Sequence, residues 1–156
     1  MLLSEILIER KGRFFPNDIN LINKERIEKI DFTGNIFLSN KKSKTNMILV
    51  KPGDLVISGI NVSKGAISIY NGDKDVFATI HYSSYSLNIN KIDRNYFYTL
   101  IKTKKFLNII KDQIKGGIKT EIKPKLFLSL NFDFPNIEDQ QKISSKIISI
   151  SNKTKK

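Results

Sequence analysis

The sequence predicts an α+β fold: one twisted, mostly antiparallel sheet or partial barrel, flanked by helices and followed by a C-terminal helix. Three observations carry this. Residues 35–89 contain six short β-branched or aromatic runs separated by turn signals. The apolar period then changes to a helical one between 94 and 114. A last segment, 137–150, repeats Ile at 137, 143, 147 and 150, steps that suit one stripe on a helix.

At 156 residues with 40% hydrophobic content, the chain supports a single domain with a sizeable core. "EILIER" (5–10) reads as a short helix or strand ended by Gly12, and "NKERIEKI" (23–30) as a short helix. The strands are "NIFLS" (35–39), "MILV" (47–50), "DLVISGI" (54–60), "AISIY" (66–70), "VFATI" (76–80) and "SYSLNI" (84–89). "KPGD" (51–54), "SKG" (63–65) and "NGDKD" (71–75) turn the chain between them. Asp93 is placed to cap a helix, a break falls near Lys102 to Lys104, and Gly116-Gly117 stops the second helix. Residues 118–134 read as a loop, a short helical turn and a strand, "SLNFDF", running into Pro135. Pro135 makes a strand-to-helix corner, and Glu138 and Asp139 suit the positive end of the helix that follows.

The composition excludes several classes of chemistry. There is no cysteine, so no disulfide framework, thiol nucleophile or Cys-based zinc site. His81 is the only histidine. No apolar run approaches membrane-spanning length and the opening residues do not form a signal peptide, so a cytoplasmic protein with no membrane partner is expected. Glycine-rich phosphate loops are absent, and no cofactor is implied. Asp54 with "EIK" (121–123) imitates a nuclease metal site, but a lysine-rich chain produces Glu-x-Lys by chance, and no second acidic cluster supports it. A non-catalytic protein is expected.

The net charge is +12. It has two readings: a polyanion partner, above all nucleic acid, or the Lys, Asn and Ile bias of A+T-rich coding. The distribution favours the first. Residues 102–125 hold eight lysines against Asp112 and Glu121. Polar loops between the strands supply hydrogen-bonding groups for base edges and phosphates: Asn61, Ser63 and Lys64 in one, and Tyr82 and Ser84 in another. Lys115, Lys119, Thr120 and Lys123 stand in a basic loop with two glycines.

"FDFPNIEDQQKI" (132–143) resembles the boundary motif of target-recognition domains in specificity subunits of Type I restriction–modification systems. There a strand ends in Pro, followed by an apolar residue, an acidic pair, Gln and Ile. Here these are Pro135, Ile137, Glu138-Asp139, Gln140 and Ile143, with Asp139 where Glu is common. "KPGDLVIS" (51–58), "GINVSKGAISIY" (59–70), "LLSEILIERKG" (2–12) and "GGIKTEIKPKLFLSLNF" (116–132) are similar to further family segments in the same order. The resemblance implies a target-recognition domain over 1–135, and a truncated spacer helix and basic tail over 136–156. About 20 Å of helix follows Pro135 at ~1.5 Å per residue, as in a half-subunit.

It further implies recognition of double-stranded DNA without catalysis. The chemistry would belong to a separate adenine methyltransferase subunit and a restriction (translocating nuclease) subunit. A second copy of the chain, meeting the first through the C-terminal helix, is a further implied partner. Two alternatives stand beside this reading. One is a stand-alone DNA-binding module or regulator without enzyme partners. The other is the recognition part of a fused restriction–methyltransferase, against which the family-like opening directly after Met1 argues.

Overall fold

In the computed structural model, residues 1–114 and 121–154 are described, with side chains given for those up to 149. The strands are β1 (Leu7–Glu9), β2 (Arg26–Ile30), β3 (Ile36–Ser39), β4 (Met47–Val50), β5 (Leu55–Ser58), β6 (Ile67–Ile69), β7 (Val76–Thr79) and β8 (Tyr82–Leu87). The helices are α1 (Arg94–Leu100), α2 (Lys104–Gln113), α3 (Pro124–Leu128) and α4 (Ile137–Thr154). The α+β class holds, and the strands divide between two four-stranded sheets. The inner sheet has the order β1-β8-β5-β6 and the outer sheet β3-β2-β7-β4. Every pairing is antiparallel except β2 with β7.

Strands β5 and β6 of the inner sheet are buried on both faces, and the sequence shows why. Leu55 and Ile57 of β5 point into a core shared with the helices, alongside Phe97, Phe106, Phe127 and Phe132. Val56 between them points the other way, into a core shared with the outer sheet, alongside Ile27, Ile48, Val50 and Ala78. A strand sandwiched in this way reads as a continuous apolar run, and "LVIS" does. On β8, Tyr85 faces the helices and packs at a tilt against Phe127, ring centroids 5.3 Å apart, while Ser84 faces the outer sheet and donates to the Leu49 carbonyl at 2.7 Å. Burial pushes the Tyr85 phenol up, and its hydroxyl shares a hydrogen bond with Ser83.

The helical layer follows local sequence signals. Asp93 caps α1 by accepting from Tyr96 N–H at 2.9 Å, and Thr103 caps α2 by accepting from Phe106 N–H at 3.2 Å. The break expected near 102–104 is therefore a cap. Two other expectations changed. Residues 26–30 form β2, not a helix. Residues 124–128 form the short helical turn expected within 118–134, begun by Pro124 in the first turn, where a missing N–H costs nothing, but the strand expected after it does not form. Of "SLNFDF", only Asn131 makes a strand-like bridge, to Leu2. Phe132 and Phe134 stack instead, and Phe106 lies on Phe132 at 4.6 Å. The stop expected at Gly116-Gly117 lies outside the described residues.

The boundary motif has a physical explanation. Asn136 caps α4, its side chain accepting from Asp139 N–H at 2.9 Å. Gln140, 1% exposed, is fully engaged. Its oxygen accepts from Asp93 N–H at 2.8 Å, and its nitrogen donates to the carbonyls of Pro135 at 2.8 Å and Lys91 at 3.3 Å. One amide thus clasps the root of α4 to the loop entering α1, which requires Gln at this position. The isoleucine stripe divides along the helix. Ile137 is half-buried at the root, whereas Ile143 and Ile147 are 41% and 37% exposed, and Ile148 beside them 44%. The side chain of Ile150 lies outside the description.

Candidate nucleic-acid interface

Several loops meet at the end of the sheets where β5 finishes. Gly59 N–H donates to the His81 carbonyl at 2.9 Å, and Ile122 N–H donates to the Gly59 carbonyl at 2.7 Å. These bonds bring the β5–β6 turn, the β7–β8 turn and residues 121–123 together. The β2–β3 hairpin tip packs against the same β5–β6 turn through Gly65. A cleft beside them is lined by Glu9, Arg10, Arg13, His81, Tyr82 and Lys123 among others.

The sequence candidates fall into three groups. Asn61, Lys64, Tyr82 and Lys123 reach this end with at least part of the side chain accessible. Asn61 N–H donates to Ser58 Oγ at 3.2 Å, opening the 3-10 turn Val62–Lys64, and Lys64 is exposed. Tyr82 packs against the inter-sheet core, which raises its phenol pKa by burial. Ser63 and Ser84 are buried at 8% and 1% exposure, and the Ser84 hydroxyl is committed to Leu49. Lys115, Lys119 and Thr120 lie outside the described residues.

Of the two glutamates lining the cleft, Glu9 and Glu121, the second is paired. Glu121 lies 3.5 Å from His81 Nδ1 and 3.3 Å from Lys123 Nζ. Asp54 sits at the opposite end of β5, so Asp54 and Glu121 do not share a site. Asp54 is instead gripped by Arg10 through two bonds, Nε–Oδ2 at 2.7 Å and Nη2–Oδ1 at 2.8 Å, and also accepts from Lys51 N–H at 2.9 Å. The hydrogen bond to Asp54 raises the Arg10 pKa above its ordinary value. Among the described residues no group of three or more His, Asp or Glu could hold a metal ion, and no helix is long and apolar enough to cross a membrane.

Two residues of this surface carried little sequence signal. Arg13 followed the first predicted element without a pattern of its own. Phe32 is an aromatic inside the turn stretch "DFTGN" (31–35), an unusual place for a large apolar side chain.

The molecule is thus a module that presents turns from a two-sheet frame. No family model and no curated protein matches the sequence. Solved structures do. The HsdS subunit from Thermoanaerobacter tengcongensis aligns with 99% of this chain at a TM-score of 0.71 and 14% identity. A chain solved in work on complex assembly and conformational transition of the type I R-M system aligns over 99% at 0.75, also with 14% identity. The chain has the fold of these structures and spans 42% of the length of each. The family resemblance of the boundary motif is matched at the level of fold.

Proposed function

We propose that the chain recognises duplex DNA sequence-specifically as the specificity subunit, or half-subunit, of a Type I restriction–modification system. In this reading it directs a separate adenine methyltransferase and nuclease. The observation that carries the reading is the fold likeness to the HsdS subunit along 99% of the chain. Loop chemistry supports it: Asn61 is suited to base edges, Lys64 to a base edge or a phosphate, and Lys119 and Lys123 to phosphates. The recognition body would span 1–135 and the spacer helix would follow Pro135.

Duplex binding should depend steeply on salt. Neutralising about five phosphates gives a slope of log affinity on log salt of roughly −4 to −5. Titrations of randomised duplex between low and moderate salt measure it. A flat dependence, or no binding at low salt, would overturn the reading.

The exposed face of α4 is where we place the methyltransferase subunit. Ile147→Asp should leave the domain folded at a cost in stability of about 1–2 kcal/mol, because the side chain is partly exposed on α4. It should abolish co-purification with a methyltransferase encoded beside it. A parent chain that ignores every such methyltransferase offered would favour the stand-alone module.

A further inference from the structure

The β2–β3 hairpin turns at residues 31–35 on a dense set of bonds. The Asp31 carboxylate accepts from Thr33 N–H at 3.0 Å, Asn35 N–H at 2.8 Å, the Thr33 hydroxyl at 2.8 Å and the Asn35 amide at 3.1 Å. Gly34 N–H closes on the Asp31 carbonyl at 3.1 Å. The tip is then pressed, backbone on backbone, against the β5–β6 turn. A Cβ on Gly34, at φ +86°, would lie 3.0 Å from the Ile67 carbonyl oxygen, and one on Gly65 would overlap the Phe32 carbonyl. The turn is held from within by Asp31 and from below by two side-chain-free contacts.

One bulky side chain on this fixed tip stays outside both cores. Phe32 is 55% exposed. Lys64 Nζ lies 5.9 Å from its ring centroid. Lys102, whose Cε lies 3.8 Å from the Cβ position of Gly34, holds its Nζ 4.3 Å from the Tyr98 ring centroid. A flat apolar ring on a rigid backbone, with one exposed lysine beside the ring and another beside the same hairpin tip, is complementary to a base step flanked by phosphates. The carboxylate next to it, Asp31, is turned into its own turn.

We infer that Phe32 is a wedge that inserts at a base step of duplex DNA, with Lys64 and Lys102 on the flanking phosphates. The inference rests on the DNA-recognition reading and adds a contact that no base-edge hydrogen bond supplies. Insertion of an apolar side chain unstacks a step and favours those that deform easily, so Phe32 selects by deformability. Asn61, in the turn beside it, would read base edges.

The chain contains no tryptophan, so Phe32→Trp installs a single indole reporter at the tip. Its emission should be quenched when randomised duplex, or the preferred site selected from it, is added at low salt. Phe32→Ala should lose about tenfold in preference for that site over the random pool, the scale of one lost stacking contact, and keep most of its non-specific binding. Both variants should melt with the parent, since the ring is exposed. If the parent binds duplex but the indole emission is unchanged and Phe32→Ala keeps its preference, the wedge is wrong and the DNA reading stands. If the parent binds no duplex at low salt, the DNA reading fails and takes the wedge with it.

Discussion

Asp54→Ala should destabilise the domain by roughly 3–4 kcal/mol, read as a fall in Tm of about 10 °C. Asp54 is 2% exposed and receives three hydrogen bonds, two from Arg10 and one from Lys51 N–H. Removing the carboxylate leaves a guanidinium, about a quarter exposed, without its counter-charge, and a backbone donor without its acceptor. Most of the loss is that penalty and not the intrinsic worth of the pair. The Arg10→Leu/Asp54→Leu double variant should therefore be less damaged than Asp54→Ala, because no charge is left behind. Denaturant melts of the parent, Arg10→Leu, Asp54→Leu and the double variant measure the coupling. Additive losses would show that the pair is worth little and that Asp54 acts through Lys51 alone.

Gly65→Ala should cost roughly 3 kcal/mol, for two reasons that add. Its backbone lies at φ +114°, ψ +4°, which an L side chain adopts only with strain of about 1–3 kcal/mol. The new methyl would also collide with the Phe32 carbonyl, a backbone atom that cannot swing aside. The hairpin tip must lift from the β5–β6 turn to admit it. Hydrogen exchange at Gly34 and Asn35 should accelerate along with the lowered Tm. A Gly65→Ala chain as stable as the parent would mean that hairpin and turn do not press on each other.

Much of this architecture is written locally. The strands from β3 to β8 follow β-branched runs between turn residues, and Asp93 caps α1 as its position suggested. The failures have physical causes. Ile27 and Ile30 stand three apart, a helical spacing. Yet they sit on a strand, because a register shift between Ile27 and Lys29 brings both to the buried side. "SLNFDF" alternates as a strand would, but its aromatic rings stack with Phe106 and few backbone partners are within reach. The division into two sheets depends on pairings far apart in sequence, such as β1 with β8, which no local window contains. For the interface, loop membership was legible and accessibility was not. Ser63 and Ser84 were read as polar loop donors, and only the packing of the inner sheet shows that they are buried. Phe32 is the opposite case: a large apolar side chain in a turn that carried no reading of its own, 55% exposed on a tip pressed down at Gly34 and Gly65.

The stitching of residues 1–3 to 130–132 has a consequence for how the chain acquires its shape. Leu3 N–H donates to the Leu130 carbonyl, Phe132 N–H donates to the Met1 carbonyl, and β1 waits for β8 some eighty residues later. None of these partners exists while the first part of the chain is being synthesised. Loop-closure entropy must be overcome before such contacts form, which places folding in the slower, milliseconds-to-seconds regime of topologies dominated by distant pairings. Until Phe132 has emerged, Leu3, Ile6 and Leu7 have no complete core to enter. A nascent chain of this topology is therefore exposed to aggregation until residue 132 has emerged, because residues 1–3 close on the segment just before α4.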